Sequence, residues 1–119
     1  DAVIVELGAN DALRGLDPKQ TEDALKRILE QLKAKNLPVL IAGMQAPPNL
    51  GPDYQQAFDP IFRKLAAQYG ALHYPFFLDG VAAQASLNQS DGIHPNPQGV
   101  DIIVERILPK VEELLNRVQ

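Results

Sequence analysis

The chain has 119 residues, enough for one domain of ordinary size and a real core, with about 65% of the unfolded surface buried on folding. Apolar residues make up 45% and charged residues 22%, which excludes wholesale disorder; the net charge of −4, with no Lys/Arg-rich run, excludes the basic footprint that nucleic-acid backbones require. There is no cysteine, so disulfides, thiolate zinc sites and cysteine nucleophiles are excluded together, and no apolar run is long enough for a membrane span. The chain opens on Asp1-Ala2 at the mouth of a strand, without an initiator Met or signal peptide, and on this reading is a processed or cut piece.

Val3-Ile4-Val5-Glu6-Leu7, ended by Gly8, has the apolar, β-rich character of a buried parallel strand. A helix follows from Asp17-Pro18: Asp17 suits the cap, Pro18 the first helical position, and Gln20 completes a capping-box-like pattern. Ala24, Leu25, Ile28, Leu29 and Leu32 then form one apolar stripe, and Asn36 and Pro38 close the helix. Val39–Gly43 reads as a second buried strand. The prolines at 47, 48 and 52 make the next segment a loop. Phe58, Ile61, Phe62, Leu65, Ala66 and Tyr69 mark another amphipathic helix stopped by Gly70, with Pro60 kinking it or starting its main part and Asp59 as cap. Ala71–Tyr74 is a third, shorter strand, and a short helical segment is expected near Val81–Ala85. Asn96-Pro97 opens a long final helix that uses Ile102, Ile103, Ile107, Leu108, Val111, Leu114, Leu115 and Val118, with a bend expected at Pro109.

This β-α-β-α-β-loop-α order implies a parallel sheet covered on both faces. Three strands are few for such a fold. The first is apolar enough to be central, so its outer edge requires a cover, and a missing N-terminal part is expected.

In open α/β sheets ligand groups gather beyond the carboxyl ends of the strands, and two polar clusters occupy suitable loops. Gly8-Ala9-Asn10-Asp11 follows the first strand, and Asp91-Gly92-Ile93-His94-Pro95-Asn96-Pro97 precedes the last helix. His94 is the candidate for proton transfer, because imidazole titrates near neutral pH. Asp91, three residues earlier in a Gly-containing turn, can reach one imidazole nitrogen and fix its tautomer; equally, it can simply close the turn. Asn10 offers an amide donor for an oxyanion, or, with Asp11 capping a short helical turn, is a turn residue. Asp11, Asp91 and His94 lack diagnostic metal-ligand spacing. His73, inside a strand, reads as a structural histidine, and Met44 and the phenylalanines as core. A nucleophile is missing: Ser86, Ser90 and Thr21 are the only aliphatic hydroxyls, none in a Gly-x-Ser-x-Gly turn.

Taken together, Val3–Asp11, a strand running into Gly-x-Asn-Asp, and Ser90–Asn96, containing Asp-x-x-His-Pro, resemble the third and fifth blocks of the SGNH (GDSL-type) hydrolases. The Met44–Asn49 loop and the Pro75–Leu78 segment are similar to the bacterial arylesterase, acyl-CoA thioesterase I and lysophospholipase L1 branch. The resemblance implies a flavodoxin-like three-layer α/β/α fold, of which residues 1–119 would be roughly the C-terminal two-thirds of a single domain. It also implies His94 as general base, Asp91 as its orienting carboxylate and Asn10 as an oxyanion-hole donor, with Gly8 allowing close backbone approach. No cofactor or metal is implied. The family's Gly-Asp-Ser block and second-block glycine have no counterpart here, so the intact parent would be a serine ester or thioester hydrolase and this chain alone inactive. The expected partners are a small acyl-ester or thioester substrate and an N-terminal fragment or a second copy covering the edge of strand 3–7. The branch resembled suggests a periplasmic or secreted location. A carbohydrate acetylesterase of the same family and a non-catalytic flavodoxin-like binding module are the alternatives.

Overall fold

The structure is a computed structural model that describes residues 1–118. The three apolar runs form strands β1 (Val3–Val5), β2 (Val39–Ala42) and β3 (Leu72–Tyr74), parallel throughout and in the order β1-β2-β3. The register pairs Val3 with Val39, Ile4 with Leu40 and Val5 with Ile41, then Leu40 with Leu72 and Ile41 with His73. Side chains alternate across the sheet, so this register divides the core in two. Val5, Val39 and Ile41 pack with Leu25, Leu29, Phe62 and Leu65 on one face. Leu40, Ala42 and Leu72 pack with Ile107 and Leu114 on the other. The result is helix, sheet, helix, in three layers.

Five helices supply the outer layers: α1 (Ala9–Leu13), α2 (Pro18–Ala34), α3 (Pro52–Phe58), α4 (Ile61–Tyr69) and α5 (Pro97–Leu115). The caps follow local chemistry. Asp17 accepts the Lys19 N–H at 3.0 Å and Asn96 accepts the Gly99 N–H at 2.9 Å, each followed by proline at the first helical position. Asn36 leaves α2 in the left-handed region, φ 54°, a conformation asparagine tolerates.

The structure departs from the sequence reading at several points. β1 stops at Val5, and Leu7 is exposed. On the other side of β2 the pairing runs on past the strand ends: Gly43 N–H donates to the Tyr74 carbonyl and Phe77 N–H to the Gly43 carbonyl, each at 2.8 Å. The helix expected around Pro60 is two helices, with Pro60 starting the second. Asp59 does not cap it; its carboxylate instead accepts the Ala46 N–H at 2.8 Å and ties down the proline-rich loop. The segment near Val81 is turn, followed by a 3-10 turn at Ala85–Leu87. α5 runs through Pro109 and ends at Leu115, short of the expected Val118, and its apolar residues divide: Ile103, Ile107 and Leu114 are buried, while Leu108 and Leu115 are exposed.

β1 has a neighbour on one side only. Ile4, on the same sheet face as Leu40, is 46% exposed, and Val100, Val104, Leu108 and Leu115 of α5 are exposed as well. Among the described residues no helix is long and apolar enough to cross a membrane.

Candidate active site

Both polar clusters lie where the sheet topology directs them, past the carboxyl end of β1 and at the entrance to α5. Gly8 makes the first possible. Its φ of +113° suits a residue without Cβ, and a Cβ there would stand 3.1 Å from the Phe62 ring and 3.5 Å from the Thr21 methyl. Glycine therefore lets the chain turn tightly against α2 and α4 and enter α1 at once. Asn10 is the second residue of that helix, with its side chain exposed. Asp11, which on the alternative reading would cap a turn, lies within α1, and its Oδ2 accepts from the Thr21 hydroxyl at 2.8 Å. Farther along, the Tyr54 hydroxyl donates to the Leu16 carbonyl, holding the α1–α2 connection.

The second cluster is a tight loop on a closed neck. Gln89 N–H donates to the His94 carbonyl at 2.7 Å, Asn88 and Pro95 form an antiparallel bridge, and Asn96 N–H donates to the Leu87 carbonyl at 2.9 Å. Gly92, φ +71°, makes the turn between them. Within the loop the Asp91 carboxylate is used on both oxygens. Oδ1 accepts the backbone N–H of Ile93 at 2.9 Å and of His94 at 3.0 Å, and Oδ2 lies 2.6 Å from His94 Nδ1. The imidazole contact first, and the two backbone donors after it, hold the Asp91 carboxyl down at a pKa of about 2. A carboxylate has no proton to donate, so Nδ1 carries the hydrogen, and in the neutral imidazole the lone pair is on Nε2.

One open trough of about 510 Å³ is bordered by Gly8, Asn10, Asp11 and His94, with Met44, Phe77, Leu78 and Ile93 among its apolar walls. It also runs along α2 past Thr21, Leu25 and Ile28, beside the free edge of β1. The structure thus brings Asn10 and the His94–Asp91 pair, about eighty residues apart in sequence, to one depression. It leaves the other candidates out. Ser86 and Ser90 are exposed and do not line the trough. His73 is half-buried on β3, where burial, then Arg63 and Lys110, lower its pKa. Among the described residues no group of three or more His, Asp or Glu side chains gathers as metal ligands do. Met44, which the sequence assigns to the core, is buried in the cluster with Val5 and Phe62, and Phe77 packs against that cluster; both also wall the trough, a role signalled by their position just beyond the ends of β2 and β3, while Thr21 has no role in the sequence analysis.

The parallel α/β sheet thus carries an imidazole–carboxylate pair and an amide side chain around one depression beyond its carboxyl ends, the usual place for ligand groups in such sheets. Residues 1–102 match the GDSL-like lipase/acylhydrolase family, and the chain belongs to that family. It is 39% identical over 113 residues to Esterase TesA of Pseudomonas aeruginosa, covering 95% of this chain and 56% of that protein. It is 40% identical over 114 residues to the Thioesterase 1/protease 1/lysophospholipase L1 of Escherichia coli, covering 96% of this chain and 55% of that protein. The crystal structure of TesA superposes with a TM-score of 0.88 at 38% identity, over 95% of this chain and 63% of that one. The chain therefore spans a little over half the length of the curated relatives it matches.

Proposed function

We propose that this chain is the histidine- and amide-bearing part of a serine ester or thioester hydrolase, and that its nucleophile is supplied by a strand–helix unit outside these residues. The observation that carries this reading is the shared trough: the Nδ1-anchored imidazole of His94 and the carboxamide of Asn10 border one depression at the end of β1, and neither serine of the chain does. The similar proteins are an esterase and a thioesterase, which agrees with a small acyl ester or thioester as substrate. The apolar walls at Met44, Phe77 and Leu78 suit the acyl portion.

In the proposed reaction a serine oxygen attacks the acyl carbonyl carbon while His94 Nε2 takes the hydroxyl proton. Asp91, fixed by two backbone donors, holds the imidazolium and its tautomer. The Asn10 amide donates to the oxygen that gains negative charge, a role worth roughly 2.7–4 kcal/mol for a single donor. The carbon–oxygen or carbon–sulfur bond then breaks, and the leaving alcohol or thiol takes the proton back from Nε2. Water, deprotonated by the same nitrogen, attacks the acyl-serine and releases the acid and the serine hydroxyl.

The covering unit fits the free edge of β1. A parallel strand there would pair the unmatched backbone groups of Val3–Val5, and its helix would cover Ile4 with the exposed flank of α5 at Val104 and Leu108. The test is hydrolysis of p-nitrophenyl acetate. The longer serine-bearing protein is expected to turn it over and to lose that activity on His94→Ala, while the 119-residue chain, verified by intact mass, stays at the buffer rate. Hydrolysis by the chain alone that disappears on His94→Ala would overturn the assignment of the nucleophile to another segment.

A further inference from the structure

The Asn10 carboxamide is exposed, and no protein partner among the described residues holds it, so its direction depends on where α1 stands. At five residues α1 is far too short to be stable by itself, and it starts from a left-handed glycine without a side-chain cap. Its position is fixed from α2. Thr21, in the first turn of α2, is 1% exposed and touches both ends of the Gly8–Asp11 segment. Its hydroxyl donates to Asp11 Oδ2 at 2.8 Å, and its methyl lies 3.5 Å from where a Cβ on Gly8 would be. A threonine inside a helix ordinarily returns its hydroxyl to a carbonyl of the preceding turn; here the hydroxyl reaches across ten residues to the neighbour of Asn10.

We infer that the buried Thr21 hydroxyl is a positioning group for the proposed hydrolysis, latching Asp11 and thereby setting the direction in which α1 presents the Asn10 carboxamide. The inference rests on the reading of Asn10 as oxyanion donor. Thr21 and Asp11 do not touch the reacting atoms in this scheme. Because the donor counts only where the oxyanion forms, a small displacement of α1 lowers kcat and leaves KM nearly unchanged.

The experiment uses the intact serine-bearing enzyme, with kcat and KM measured well below the Tm of every variant. Asn10→Ala is expected to lose about 100- to 1,000-fold in kcat. Thr21→Val, which keeps the methyl and removes the donor, is expected to lose roughly tenfold in kcat with KM within about twofold, and Thr21→Ser, which restores the donor, to stay within about threefold of the parent. On an Asn10→Ala background Thr21→Val should add less than about a twofold loss, because the latch acts through Asn10. If Thr21→Val does not fold, Asp11→Ala removes the same bond from the other side, with the same expected loss and the same dependence on Asn10. An equal loss with and without Asn10 would make Thr21 merely structural and overturn the inference. So would a fully active Thr21→Val beside a crippled Asn10→Ala, or a Thr21→Ser as slow as Thr21→Val. Full activity in Asn10→Ala would instead strike at the oxyanion reading itself and take the inference with it.

Discussion

Asp91 Oδ2 lies 2.6 Å from His94 Nδ1, while Oδ1 of the same carboxylate accepts two backbone N–H groups of the loop that carries the histidine. One side chain thus builds the turn and orients the imidazole, so the loop geometry and the histidine tautomer depend on a single charge.

That coupling has a definite pH signature. With the Asp91 carboxyl at about 2 instead of 3.8, its folded pKa lies below the unfolded one, so its contribution is fully present above pH 3.8 and is lost as pH falls through about 2. An NMR titration of the Asp91 carboxyl carbon in the folded chain should give a midpoint near 2. The Ile93 and His94 amides should shift over the same range. A midpoint at 3.8 would mean that the three contacts do not form in solution.

His73 predicts a second pH dependence. Burial, then the cations of Arg63 and Lys110, hold its folded pKa below 6.5, so the stability it contributes is present above pH 6.5 and declines as pH drops through the folded value. Chemical denaturation between pH 7.5 and roughly pH 5 should show that decline, and His73→Gln should flatten it. An unchanged slope in the variant would assign the dependence to other groups.

Gly43 is a steric glycine. A Cβ there would stand 2.4 Å from the Pro75 carbonyl oxygen, a backbone atom held by the bonds that join β2 to the segment after β3. Gly43→Ala should cost about 1–3 kcal/mol in urea unfolding, as overpacked cores do. At Gly51, where nothing lies within 4 Å but φ is +89°, the same change meets open space, and its cost is confined to the backbone conformation. A neutral Gly43→Ala would mean that the β2 and β3 ends are farther apart than described.

Without a covering segment, the chain should associate through the edge of β1 and the apolar flank of α5. Ile4 and Leu108 are each close to half exposed. Ile4→Lys combined with Leu108→Lys should weaken self-association in sedimentation velocity by at least about tenfold, since each charge must be desolvated to re-form the contact. A chain that is monomeric at all concentrations, or a double variant that associates as before, would contradict this surface assignment.

Much of this molecule was legible from local chemistry. Asp17-Pro18 and Asn96-Pro97 announced two helices because a cap and its proline act within three residues, and both bonds form. Val39–Ala42, apolar at every position, could only be a strand buried on both faces. The partners of side chains across the fold were not legible. Asp59 was free to cap the adjacent helix by sequence, yet it holds Ala46; Asp11 was free to cap a turn, yet it holds Thr21. Each choice depends on which loop packs against the carboxylate, and local preference is silent on that.

The amino-acid order by itself determined the alternation of strand and helix, the placing of polar residues after β1 and before α5, and membership in a hydrolase family, because periodicity, caps and short motifs are written within a few residues of one another. Tertiary structure alone decided that Leu7 leaves the sheet, that α5 buries Ile107 but not Leu108, and that Asn10 and His94 border one trough. Those outcomes depend on register and on helix-over-sheet packing, where one residue's shift changes which face a side chain occupies.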